Sequence, residues 1–203
     1  MEIVMKLEEY IEIISGEIIP SDENLVREIL QWYLERTKSH IEGVQAFGRK
    51  ALQFVKDDRV LTDKLELLIE NHDSDKLEDG EFIAHYAPYI VKRYCNTGLQ
   101  DRFELKEDYK KKWDEEYVVQ HCLQNGHHPE CWDSSYGYGE NHPPYDATNM
   151  PEEYLAEMCC DWCAVGLEQG NSAMDWFKKV SKERFIFTEF QKNFIENLIR
   201  AIE

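Results

Sequence analysis

Apolar residues recur along most of the chain every three to four positions, with short polar breaks carrying glycine or proline between the stretches. Ser21-Asp22 is a capping pair, and Leu25, Ile29, Leu30, Trp32 and Tyr33 follow at near-helical spacing. A further helical stretch carries His40, Val44, Phe47, Ala51 and Val55, with Gly43 and Gly48 as places for a bend or break. Leu61 to Ile69 predicts a short apolar helix that delivers His72-Asp73 at its C-terminal end. The negative pole of a helix dipole favours a cation there. Asp79 to Tyr94 predicts the next helix, bent or split at Pro88. Cys95 to Phe103 is a connection, and a helix from about Glu107 carries Trp113, Tyr117, Val118 and His121 before Asn125-Gly126 ends it.

From His127 to Met150 the periodicity stops, and Pro129, Gly137, Gly139, Pro143 and Pro144 appear among tyrosines and polar residues. Loops of that length are uncommon in a compact domain and are usually functional. Pro151 then opens a helix reaching about Gly166, with Glu152 and Glu153 near its positive end. Asn171-Ser172 starts another helix, and Thr188-Glu-Phe-Gln191 is a capping box for the last, through Phe194, Ile195, Leu198 and Ile202. No repeat and no convincing strand emerges. The pattern predicts an all-α, single-domain helical bundle over residues 1–203 with one long irregular loop. Its core spans about 22–170, and the C-terminal helices 172–203 pack on it.

Length and composition support a folded domain: 203 residues can bury a sizeable core, and 42% hydrophobic residues exclude wholesale disorder. With 23 basic and 41 acidic residues, the net charge is -18. That repels phosphate polymers and anionic membranes, so neither a nucleic-acid polymer nor a membrane is an expected partner. No apolar run approaches the ~20 residues of a membrane span. Glu2, Glu8, Glu9, Glu12 and Glu17 crowd the first stretch and are wrong for a signal peptide, so the expected location is cytoplasmic. Cys160 and Cys163 form one C-x-x-C spacing inside CCDWC. It reads as core packing, as a zinc site or as a redox pair, and the apolar helix around it favours packing.

The candidate chemistry lies in histidines and acids. Adjacent His72-Asp73 offers an imidazole and a carboxylate to one divalent ion, and Asp73 is able to bridge two. Lys76 follows closely, suited to a phosphate oxygen or to a carboxylate partner. His127-His128 opens the irregular loop, and its two imidazoles point different ways, toward a metal, a second ion or a substrate. His121 stands just before them as a further ligand, a partner behind a ligand or a general acid. Glu157 and Asp161 share one face of an otherwise apolar helix, where burying acids is costly unless they are paired or metal-bound. His40 joins from an earlier helix. This mixture suits one or two ions of Mn, Fe, Co, Ni, Zn or Mg without choosing among them.

The order His40, His72-Asp73, Asp161 resembles the ligand signature of the HD-domain superfamily of phosphohydrolases. HDSDK is similar to its HD-x-x-K form, and HHPE before a Gly-Tyr loop resembles the HD-GYP branch. The resemblance covers about Leu25 to Leu167. It implies that His40, His72, Asp73 and Asp161 hold the principal metal, that His127 and His128 assist a second, and that Lys76 contacts substrate phosphate. Gly137-Tyr138-Gly139 departs from the GYP tripeptide, and no histidine lies midway between the HD and HH pairs, so cyclic-di-GMP hydrolysis is not implied. HDSDK, EDGEF, N-x-HHPE-x-W and EMCCDW also resemble a narrower, uncharacterised family of bacterial and phage proteins.

The function this implies is metal-dependent hydrolysis of a small phosphorylated compound or nucleotide, with metal-activated water as nucleophile. Asp73 takes or orients the water's proton, Lys76 stabilises phosphoryl charge, and His121 or His128 protonates the leaving oxygen. The aromatic stretch Trp132 to Tyr145 either covers the site and stacks on a base or packs the loop down. Two alternatives stand beside this reading: a non-enzymatic helical binding module with a structural ion, and an oxygen-dependent di-iron enzyme.

Overall fold

A computed structural model of the chain describes residues 7–112, 118–134 and 144–203. In order come α1 (Leu7–Glu17), β1 (Ile18–Ile19), α2 (Glu23–Val55), α3 (Arg59–Glu70), α4 (Asp75–Glu78), α5 (Gly80–Tyr94), β2 (Glu104–Leu105), α6 (Glu107–Lys112), α7 (Val118–Gln124), β3 (Tyr145–Asp146), α8 (Glu152–Gln169), α9 (Ala173–Glu183), β4 (Phe185–Ile186) and α10 (Glu189–Ile202). The fold is all-α, as the periodicity predicts. The two-residue strands are a correction to the expectation of none: β1 pairs antiparallel with β2, and β3 pairs parallel with β4. No helix among the described residues is long and apolar enough to cross a membrane. Trp113, Tyr117, Tyr136, Gly137, Tyr138, Gly139 and Pro143 lie outside the described residues.

The chain divides into two compact units. One comprises Met1–Ser39 and Asp73–Val119, the other His40–His72 and Gln120–Glu203. In the first, Asp22 caps α2 by accepting from the Leu25 N–H at 3.0 Å. Leu25, Val26, Ile29 and Tyr33 of α2 share an apolar cluster with Ile83, Ala84, Ala87 and Val91 of α5. Asp79 caps α5 through the N–H groups of Glu81 and Phe82. This helix continues through Pro88 without splitting.

The second unit is built on a cluster that joins Val44, Ala51 and Val55 of α2 to Leu65 and Ile69 of α3. Leu155, Met158 and Cys159 of α8 and Ile195, Leu198 and Ile199 of α10 complete it. Neither Gly43 nor Gly48 breaks α2. Gly48 has a packing role instead: a Cβ there would lie 2.6 Å from Ile69 Cγ2, so its absence lets α3 approach closely. Asp58 caps α3, accepting from the Leu61 N–H at 3.0 Å. The α8 helix outlasts the expected end at Gly166 and stops where Gly170 takes φ 66, the left-handed conformation glycine adopts without strain. The capping box of α10 forms with both reciprocal hydrogen bonds.

Candidate metal centre

Three carboxylates on α8 set the geometry. Asp161 and Glu168 lie four and eleven residues after Glu157, spacings that put all three on one helix face. His40 comes from α2, and His72 from the turn just after α3. Nε2 of His40 lies 3.1 Å from Asp161 Oδ1, and its Nδ1 lies 3.0 Å from Glu168 Oε1. His72 repeats the arrangement. Its Nδ1 is 3.0 Å from Glu157 Oε1, and its Nε2 is 3.8 Å from the same Asp161 oxygen. A carboxylate behind Nδ1 accepts the proton there and leaves the Nε2 lone pair directed forward.

Two such nitrogens and one anionic oxygen therefore converge. Ligand atoms about 2.0–2.2 Å from one ion at near-tetrahedral angles stand roughly 3.3–3.6 Å apart, a spacing that 3.1 and 3.8 Å bracket. Without a cation, a second proton on His40 satisfies the same contact. Burial works to raise the Asp161 carboxyl, but the His40 hydrogen bond and the nearby His40, His72 and His127 imidazoles outweigh it. They hold Asp161 well below the usual carboxylate range.

The HHPE motif adds a second layer. His127 Nδ1 is 3.4 Å from Glu157 Oε1, and its ring lies 4.5 Å from that of His72, centre to centre. His72, His127 and Glu157, all buried, bring one ligand atom each within 4.8 Å of one another, a group able to hold an ion. His121, His127 and the half-buried His128 form another such group. Asn125 places its side-chain Nδ2 3.0 Å from Nδ1 of His121.

In the first unit, Asp73 takes φ 53, a left-handed conformation that aspartate tolerates better than most residues. Its Oδ2 accepts from Lys76 Nζ at 2.6 Å. The Tyr33 hydroxyl donates to the Lys76 carbonyl at 3.0 Å, and burial pushes its pKa up. Lys76 sits on the separate helix α4, not on a continuation of α3.

All sequence-selected residues of the second unit, namely His40, His72, His121, His127, His128, Glu157 and Asp161, thus belong to one neighbourhood. Glu168 and Asn125 were missed. The spacing from Asp161 to Glu168, two helical turns, was the available signal for the first. Trp132 follows the packing alternative: its ring lies 5.3 Å from that of Tyr154 and its Nε1–H donates to the Gly126 carbonyl at 2.9 Å. The cysteines follow the core reading too. Cys159, Cys160 and Cys163 are buried and free, and burial pushes their thiols up, that of Cys163 to about 12. Among the described residues, no group able to hold a metal includes a cysteine.

Residues 30–201 match the model of a family described as "Family of unknown function (DUF5662)". The chain belongs to the DUF5662 family. Within DUF5662 the matched segment takes in every residue of the centre, from His40 to Glu168. No curated protein and no solved structure matches the chain.

Proposed function

We propose that this DUF5662 chain is a metal-dependent phosphohydrolase of the HD type, acting on a small phosphorylated compound such as a nucleotide. One observation carries the reading: Nε2 of His40 and Nε2 of His72 address the same Asp161 oxygen, each imidazole held from behind by a glutamate. Such backing orients a ligand and raises its basicity. Two imidazoles and one carboxylate leave positions for water and substrate, as a catalytic site requires and a closed structural site does not. The HD resemblance adds Asp73, joined to His72 by a peptide bond, as a further ligand.

A divalent ion supplies Lewis acidity, lowering the pKa of water and polarising a phosphoryl oxygen. The chain's residues do the rest. Glu157 and Glu168 hold the Nδ1 protons of His72 and His40 and so keep both Nε2 atoms available. His121 and His128 are the candidates for handling the phosphoryl and leaving oxygens. Lys76, by resemblance, offsets phosphoryl charge. The net charge of -18 favours a small substrate over a phosphate polymer.

The test is elemental analysis of purified wild type and Asp161→Ala, followed by a phosphatase screen with p-nitrophenyl phosphate and nucleoside monophosphates. A stoichiometric transition metal and hydrolysis in wild type, both lost in the variant, are expected. Wild-type protein that takes up no metal on reconstitution refutes the proposal.

A further inference from the structure

Asn125 closes α7. Its backbone N–H donates to the His121 carbonyl at 3.1 Å, and its side-chain Nδ2 donates to the same oxygen at 3.0 Å. That Nδ2 also lies 3.0 Å from Nδ1 of His121. The carbonyl decides which way the amide faces: with oxygen in the place of Nδ2, two acceptors would meet at 3.0 Å with no proton between them. An amide N–H therefore points at Nδ1, which must present its lone pair. A neutral imidazole has one N–H, so that proton resides on Nε2.

This is the reverse of His72, where the Glu157 oxygen stands behind Nδ1 and leaves Nε2 as the acceptor. Glu168 stands behind Nδ1 of His40 in the same way, and a cation would take the place of the Nε2 proton that faces Asp161. The centre thus contains histidines of two kinds, distinguished by what stands behind each ring. A buried ring whose forward nitrogen carries hydrogen is a poor metal ligand and a good hydrogen-bond donor.

We infer that Asn125 is a positioning residue that holds His121 in the Nε2–H tautomer, making His121 a hydrogen-bond donor to a phosphoryl oxygen and not a metal ligand. The identity of that oxygen rests on the phosphohydrolase reading; the tautomer does not. His121 donates a hydrogen bond and keeps its proton, because losing Nε2–H from a neutral ring would leave an imidazolate. Protonation of the leaving oxygen then falls to His128. The ligand recognised at Nε2 is a phosphate monoester or inorganic phosphate.

Long-range proton–nitrogen correlation spectra of the nitrogen-labelled full chain read the tautomer directly, at a pH well above the ordinary imidazole pKa. His121→Gln assigns the signal. The expected wild-type result is the Nε2–H pattern, unchanged by zinc and with its Nε2–H shifted by inorganic phosphate in the zinc-loaded protein. Asn125→Asp puts a carboxylate behind Nδ1 and should reverse the tautomer, with kcat falling on the order of 100-fold while the other histidine signals keep their positions. An Nδ1–H pattern in wild type, or a zinc-induced shift at His121 Nε2, overturns the inference, even if Asn125→Asp fails to fold. The expected tautomer in a chain that hydrolyses no phosphate ester leaves the His121 assignment standing and removes the phosphohydrolase reading instead.

Discussion

Oε1 of Glu157 stands 3.0 Å from Nδ1 of His72, and the same oxygen stands 3.4 Å from Nδ1 of His127. One buried carboxylate therefore orients two imidazoles from separate segments. The sequence reading places Glu157 among the metal ligands; its contacts suit the role of a residue that aims ligands. The two roles differ in what a glutamine does. The side-chain carbonyl of a glutamine at this position still accepts from Nδ1–H but is a far weaker ligand than a carboxylate.

Glu157→Ala should weaken metal affinity about 10–100-fold, the usual effect of removing a partner behind a ligand. Glu157→Gln should retain most of the affinity. Zinc titration against a competing chelator measures both. A glutamine variant as weak as the alanine variant would make Glu157 a ligand.

The buried thiols on α8 lead to a second expectation. Cys159 and Cys160 are fully buried, and burial disfavours their thiolates. In native protein neither should react with a disulfide reagent on the timescale on which unfolded protein reacts fully. The Cys160→Ala/Cys163→Ala double variant should keep the wild-type metal content, because the cysteines take no part in the centre. Loss of metal from that variant would restore the zinc reading of C-x-x-C.

Much of this architecture was legible in the sequence for a physical reason. Glu157 and Asp161 interrupt an apolar helix, and such acids need partners; His40, His72 and His127 supply them. Glu168 was legible only through its two-turn spacing from Asp161, a weak signal. It lies in the more polar end of α8, where a glutamate looks like any solvated side chain until His40 is known to lie 3.0 Å away. Asn125 reads in the sequence only as a helix breaker, which it is, but nothing in its spacing shows that its amide also faces His121. Gly43 and Gly48 do not break α2, because helix propensity is a weak preference that packing overrides.

Gly48 provides a stability test of that override. Alanine there gains about 1 kcal/mol of helix propensity. Its methyl would meet Ile69, a branched side chain with little rotamer freedom, at 2.6 and 2.9 Å. Overpacking costs about 1–3 kcal/mol, so Gly48→Ala should be destabilising by roughly 1 kcal/mol net. Ile69→Ala costs about 2–5 kcal/mol alone. In the double variant the clash is gone, so the combined loss should be less than the sum of the two single losses in a denaturant-melt cycle. Strict additivity would mean the helices separate easily.

Gln191 joins the last helix to the segment that leads into α8. Its Oε1 accepts from the Thr188 N–H at 2.8 Å, closing the capping box. Its Nε2 donates to the carbonyls of Ala147, Thr148 and Met150 at 3.0, 3.2 and 3.0 Å. Gln191→Leu removes these donors. The Ala147 carbonyl keeps the Met150 N–H at 3.0 Å, and leaving the Met150 carbonyl and the half-buried Thr148 carbonyl without this partner should cost about 2 kcal/mol. Gln191→Glu is the sharper experiment, because it replaces the donor with a group that donates only when protonated. Facing three carbonyls, the folded-state carboxyl would be held above the unfolded value of about 4.3. The folded state then binds the extra proton, so the variant should approach wild-type stability below that value and lose stability as pH rises through the raised folded pKa. Melting temperatures across that range, taken as the difference from wild type, measure the effect. A difference that does not change with pH would show that water reaches the carbonyls and that the Gln191 amide is not what holds this segment.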